Sequence, residues 1–223
     1  MAIFALSDLH LPLGIDKPMD IFGPRWHDYV EKIEYEWKRT VTEDDFVIVN
    51  GDFSWATYID QALPDFRFIE SLPGKKLLSK GNHDYWWETM SKMNMFLENN
   101  NIHSVSFLQN CAVLCEDVSV CAAKGWITPD DKNFKKEDEK LYRRELLRFE
   151  YSIKEAATLS DKIIAALHFP PDDAFMEIAD RYNVYKCLFG HLHGKRAEDY
   201  VKTYKNSMLV SADFLRFSPI RVI

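Results

Sequence analysis

The 223 residues suit one large domain with a sizeable core, and 47% hydrophobic with 28% charged residues excludes long disorder, repeats and low-complexity chains. Few glycines and prolines and no internal period point the same way. The net charge of -7 removes a whole-chain positive field for nucleic acid, leaving only a local basic patch over residues 132–140.

The chain opens on an apolar stretch with no basic n-region that meets Asp8 at once. It does not resemble a secretory leader, and no apolar run is long enough to span a bilayer. Ile3 to Leu6 reads as a first strand. The spacing of Trp26, Val30, Ile33 and Trp37 predicts a helix over 26–40. Phe46 to Asn50 is a buried-type strand, and 58–72 is helical with Pro64 interrupting or restarting it. Another strand ends at Leu77 to Ser79, followed by a helix over 88–99. Residues 112–122 form a hairpin turning at Glu116-Asp117.

A long charged helix covers 135–159, with Leu141, Leu147 and Ile153 expected toward the core. Strands at 163–167, 185–189 and 207–210 close the chain, with 220–223 a further candidate. No linker divides these pieces, so residues 1–223 read as a single α/β domain. Cys111, Cys115, Cys121 and Cys187 form no CxxC pair and are expected to be small core residues in a reduced, cytoplasmic protein.

The turns just past the strands carry the functional signal. They read Ser7-Asp8-Leu9-His10, Asn50-Gly51-Asp52, Lys80-Gly81-Asn82-His83-Asp84, His168-Phe169-Pro170 and Gly190-His191-Leu192-His193-Gly194. Five of the seven histidines lie in these turns; only His27 and His103 fall elsewhere. Side chains at the carboxyl ends of neighbouring strands converge on one crevice, and His, Asp and Asn gathered there form a metal site. Seven candidate ligands without a thiolate exceed one closed zinc site and imply two cations. Imidazole with carboxylate suits Mn, Fe, Zn or Co. A pair of such ions activates water and clamps the oxygens of an in-line displacement at phosphorus. The expected chemistry is direct attack by a hydroxide held between the ions, with no covalent enzyme intermediate.

The series DLH, GD, GNHD, HFPP and GHLH resembles the signature of calcineurin-like metallophosphoesterases, in the same order and over nearly the whole chain. The resemblance implies a two-sheet β-sandwich flanked by helices and is closest to the compact bacterial members. It assigns Asp8, His10 and His193 to a first metal, Asn82, His168 and His191 to a second, and Asp52 to a bridge. It makes His83 a proton donor outside the metal shell, with Asp84 orienting its ring.

Protein phosphatases of that superfamily carry arginines where this chain has Phe53-Ser54-Trp55 and Tyr85-Trp86-Trp87, so a small phosphate ester, a phosphodiester above all, is the expected substrate. Trp55, Trp86, Trp87 and Trp126 are either packing residues or aromatic walls of a substrate mouth. Lys124 and Lys195 are candidate phosphate contacts. Three alternatives stand beside this: a phosphomonoesterase, a nuclease, against which the acidic balance argues, and a non-catalytic metal-binding scaffold. The scaffold should lack a ligand or the outer histidine, and here Asp52, Asn82 and His83 are all present. Oligomeric state has no signature in the sequence.

Overall fold

The computed structural model describes residues 1–200 and 204–223. Ile3–Ala5 (β1), Phe46–Asn50 (β2), Lys75–Ser79 (β3) and Val105–Leu108 (β4) are short apolar runs that pair in parallel. Ile220–Arg221 (labelled β10) adds to β1 antiparallel, giving the order β10-β1-β2-β3-β4. The second sheet runs Ala112–Cys115 (β5), Val118–Ala123 (β6), Lys162–Leu167 (β7), Lys186–Phe189 (β8) and Ser207–Leu209 (β9), in the order β5-β6-β7-β8-β9. Its first pair is the antiparallel hairpin at Glu116-Asp117 and the remaining pairs are parallel.

Most strand positions are buried on both faces and apolar, with polar residues mainly at the strand ends. Ile3, Ala5, Ile48 and Leu77 from one sheet meet Val120, Ala122, Ile164, Ala166 and Leu188 from the other in a core between the sheets. The alternate side chains Phe4, Val47, Val49 and Leu78 face Tyr29–Thr40 (α1), Leu63–Glu70 (α2) and Met90–Asn99 (α3) through Ile33, Trp37, Phe66 and Met93. Cys121, Ala165, Leu167 and Cys187 face Asp138–Leu159 (α4) and Asp173–Arg181 (α5) through Phe149, Ile153 and Phe175. The result is helix, sheet, sheet, helix: the α/β two-sheet sandwich that the motif resemblance implies. All four cysteines are free thiols, three of them buried. Among the described residues no helix is long and apolar enough to cross a membrane.

Three expectations change. The first helix starts at Tyr29, because residues 24–26 form a separate 3₁₀ turn begun by Pro24, which frees Trp26 for another position. In α4 the core stripe is Tyr142, Glu145, Phe149, Ser152, Ile153 and Ala156, and Leu147 is 69% exposed. Six-residue steps from Leu141 to Leu147 to Ile153 each rotate about 120° away from a common face, so those three leucine and isoleucine side chains never shared one. The strand at 105–108 and helix α5 went unrecognised, although Asp172 caps α5 by accepting from Phe175 N at 3.2 Å.

A buried carboxylate ties the loops after β1 and β2 to α2. Asp65 accepts from Leu13 N at 2.8 Å and from Ser54 Oγ at 2.5 Å with no solvent exposure. Burial outweighs these bonds and pushes its pKa from 3.8 to about 7. The folded state therefore holds the proton more tightly than the unfolded one, so this stabilisation is full below pH 4 and is lost as pH rises through 7. The span corresponds to ~4 kcal/mol at most. Asp65→Asn keeps an acceptor for Leu13 and removes the titration. It should flatten the urea-midpoint profile between pH 4 and 8 and raise the midpoint at pH 8; a lower midpoint at pH 8 would contradict this account.

Candidate metal centre

All seven predicted ligands come together at the carboxyl edge of the two sheets. Asp8 and His10 leave β1, Asp52 leaves β2, Asn82 leaves β3, His168 leaves β7, and His191 and His193 leave β8. Four of them adopt left-handed backbone: Asp8 at φ 58°, His10 at 47°, Asp52 at 51° and His191 at 69°. Such conformations are costly for side-chain-bearing residues and mark functional turns, here turning each strand end sharply so that its side chain points into the crevice. Gly51 has φ 87°, and a Cβ there would lie 2.6 Å from His168 Nδ1. At Gly190 a Cβ would collide with the Asp8 carboxylate and the Ser7 hydroxyl, so only glycine lets this turn approach.

The donor atoms form two adjoining groups. His10 Nε2 and His193 Nε2 face each other at 3.4 Å, and Asp8 Oδ1 lies 3.5 Å from His193 Nε2. In the second group, Asn82 Oδ1 lies 2.7 Å from His168 Nε2 and 2.8 Å from His191 Nδ1. One oxygen belongs to both: Asp52 Oδ2 is 3.8 Å from His10 Nε2 and 3.4 Å from His168 Nε2. Asp8, His10 and His193 could hold one cation, and Asp8, Asp52 and His168 also converge closely enough to share one. Imidazole, carboxylate and amide oxygen without thiolate fit borderline transition-metal ions.

Outer contacts set the donors. His193 Nδ1 donates to Asp213 Oδ1 at 2.8 Å, and His168 Nδ1 donates to the Asn50 carbonyl at 3.2 Å, which leaves both Nε2 lone pairs for an ion. Asp8 Oδ2 is occupied by the Ser7 and Ser211 hydroxyls, so Oδ1 faces the gap. Burial drives His10 and His191 down to about 4, making them neutral ligands. His168 is buried and His193 partly so, but Asp52 holds the first up at about 9, and Asp213 with Asp8 holds the second at about 10. Burial works against ionisation of Asp52 and Asp8, yet the neighbouring histidines bring both below the usual carboxylate range. Positive charge is called for between those carboxylates, and a cation would displace the protons that otherwise supply it.

The expected contact between Asp84 and the His83 ring does not form. Asp84 is buried and accepts from Asp52 N, Phe53 N, Gly81 N and Trp86 Nε1 at 2.7–3.0 Å and from Ser54 N at 3.4 Å. It is a positioning residue that locks the Asp52 and Asn82 turns together. The His83 ring instead packs on Trp55, with centroids 4.8 Å apart, while His83 N donates to Asp52 Oδ1 at 2.7 Å.

A cavity of about 620 Å³ opens over His10, Asp52, His83, His191 and His193. Its walls include Met19, Phe22, Trp26 and Trp55. Trp55 stacks on His10 at 4.5 Å and carries the Lys17 ammonium 3.2 Å over its ring. Trp86 and Trp87 are buried in the core, and Trp126 packs on Phe169 away from the mouth. Two arginines line the cavity, Arg25 and Arg196. Asp213, Trp26 and Arg25 were missed; an Asp a few residues past a predicted strand end carries no local signal that it will reach His193.

The family model described as calcineurin-like phosphoesterase matches residues 1–195. No curated protein matches the sequence. The fold is similar to that of an Aquifex aeolicus protein of unknown function, AQ665, at 16% identity and TM-score 0.55, covering 99% of this chain and 95% of that one. Thermus thermophilus TT1561 aligns at 12% identity and TM-score 0.49, covering 98% and 96%.

Asp213→Asn should reduce retention of an ion at Asp8, His10 and His193 about 10–100-fold, since a carboxylate behind a ligating histidine orients it and raises its basicity. Metal content per chain after graded dialysis checks this, with circular dichroism to confirm folding. Unchanged metal content would show that Asp213 does not act through His193.

Proposed function

Since the chain belongs to the calcineurin-like phosphoesterase family, we propose that it hydrolyses phosphate esters, phosphodiesters by preference, at a site for two Mn, Fe, Zn or Co ions. The observation that carries this is the shared position of Asp52 Oδ2 between His10 and His168, one from each donor group. Bound there, two such ions would supply an activated water and neutralise charge on the phosphoryl oxygens. Asp8, His10 and His193 would hold the first and Asn82, His168 and His191 the second, with Asp52 placed to serve both.

The chain's own groups supply the rest. His83 stands at the cavity wall outside both donor groups, fixed by its backbone bond to Asp52 and by Trp55, and donates a proton to the departing alkoxide. Trp26, Trp55, Phe22 and Met19 provide an apolar wall for an organic arm. A monoester dianion would favour a free arginine fork. Arg25 is already held by Glu198 at 2.7 Å and Asp213 at 3.7 Å, and Arg196 is 68% exposed. A diester brings one charge and a second arm for the aromatic wall. Free core thiols fit a reducing, cytoplasmic setting.

Chelation should abolish hydrolysis, and full activity in stripped protein would sink the proposal. His83→Ala should keep its metal yet lose about 10²–10⁴-fold on alkyl esters and less on p-nitrophenyl esters, whose leaving group needs little protonation. Equal losses on both would remove His83 as the acid. For ester class, kcat/KM for bis-p-nitrophenyl phosphate should exceed that for p-nitrophenyl phosphate with the same metal and pH. A monoester preference of about tenfold, ~1.4 kcal/mol, would refute the diester reading.

A further inference from the structure

We propose that Trp55 is the positioning residue for His10, holding that imidazole toward its ion by stacking, where His168 and His193 are held by hydrogen bonds. The role rests on the two-ion phosphoesterase reading and concerns how the first ion is kept.

His10 is the exception among the histidines that present Nε2 to the gap. His193 Nδ1 lies 2.8 Å from Asp213 Oδ1, and His168 Nδ1 lies 3.2 Å from the Asn50 carbonyl. His10 Nδ1 is buried and has no partner among the described residues. An acceptor behind a ligating imidazole fixes the plane of its ring. Without one, the soft torsion about χ2 is left to whatever packs on the ring. Tyr29 Oη donates to the His10 carbonyl at 2.5 Å and so fixes backbone only. Trp26 meets the ring edge-on, with centroids 5.9 Å apart. Trp55 lies nearly flat on it, with centroids 4.5 Å apart and planes 21° apart.

The chain delivers the indole there and then clamps it. Beyond β1 and β2 the two segments stay zipped: His10 N donates to Asp52 O at 2.9 Å, Leu11 N to Phe53 O at 3.0 Å and Trp55 N to Leu11 O at 3.0 Å. Residue 55 is thereby set beside residue 10. The indole Nε1 donates to Met19 Sδ at 2.9 Å, and the Lys17 ammonium stands 3.2 Å from the ring centroid. An ammonium that close to the centroid leaves no room for an imidazole on the same side, so Lys17 and His10 take opposite faces. The His83 ring packs on the same indole at 4.8 Å, so the ligand and the proton donor are set against one rigid plate. With both faces occupied, Trp55 serves the cavity by its edge.

The test is retention of Mn(II) by the full chain, measured as metal per chain after graded dialysis. Trp55→Leu should weaken retention of one of the two ions about 10–100-fold, the range for loss of an outer contact behind a ligand. The ion left behind should give the same electron paramagnetic resonance spectrum as the ion left in His10→Gln, which marks the loss as the first site. Trp55→Phe keeps a ring over His10 and should restore most of the retention. Lys17→Met should lower retention in the same direction by a smaller factor, and it checks the clamp on a partly exposed residue if Trp55→Leu does not fold. Unchanged retention in Trp55→Leu or in Lys17→Met, equal loss of both ions, or a phenylalanine no better than leucine overturns the proposal. If the unmodified protein takes up fewer than two ions, the two-ion reading falls, and the His10 ring decides the stack separately. In metal-free protein its ring-proton resonances, assigned by their loss in His10→Gln, should be narrow and moved upfield by the indole. In Trp55→Leu they should move back and broaden; resonances left unchanged refute the positioning role.

Discussion

Two carboxylates without solvent, Asp8 and Asp52, stand at the ends of adjacent parallel strands, and the surrounding structure answers to that fact. Buried like charges at close range are tolerable only if positive charge is held between and around them. Histidines from the opposing sheet provide the approach: His193 reaches Asp8 and His168 reaches Asp52. The sheets must therefore stack with their carboxyl edges level. They are stitched on one flank, where Ser7 N donates to Val210 O and Ala212 N to Ser7 O, both across the gap between sheets. The same stitch delivers Asp213 to the back of His193.

Every strand that carries a donor is parallel to its neighbours in the row, so every donor leaves at the same edge, and strand order becomes an axis of function. Along it the protein places an aromatic cavity and then the Asp52 carboxylate, which lies between the two donor groups. The cavity walls come from irregular chain, the 3₁₀ turns near Phe22 and Trp26 together with the turn at Trp55, rather than from sheet or long helix. Rigid strand ends thus set the chemistry, and loops set what can reach it.

The donor residues were legible in sequence because each sits within a few residues of an apolar run, and the repeated pairing of strand end with His, Asp or Asn is a local signal. What was not legible depends on contacts across the fold. Asp84 looked like a partner for its neighbour His83, yet its oxygens turn inward to five donors, because a buried carboxylate follows the nearest unsatisfied N–H groups rather than the adjacent side chain. Trp55 and Trp86 follow ligand blocks in the same way, but one lines the cavity and the other fills the core. Glu145 sits inward on α4 beside Tyr142 and Phe149 and pairs with Arg148 at 2.7 Å. Periodicity counts apolar residues and cannot anticipate a buried acid.

Strain separates a site kept for an ion from an ordinary cluster of polar residues. Left-handed backbone at four side-chain-bearing residues costs of order 1–3 kcal/mol each, and persists only where surrounding structure over-determines it. A bound ion would account for that strain whether or not a reaction takes place. The open face over the donors and the free position of the His83 ring need a different explanation. The cavity of about 620 Å³ over the donors leaves room for a ligand beside them. A reacting ester needs that space, and it needs a proton donor that is not itself a ligand. His83 would suit the second requirement, since its backbone is tied to Asp52 and its ring lines the cavity, packed on Trp55 and edge-on to His10 at 5.8 Å.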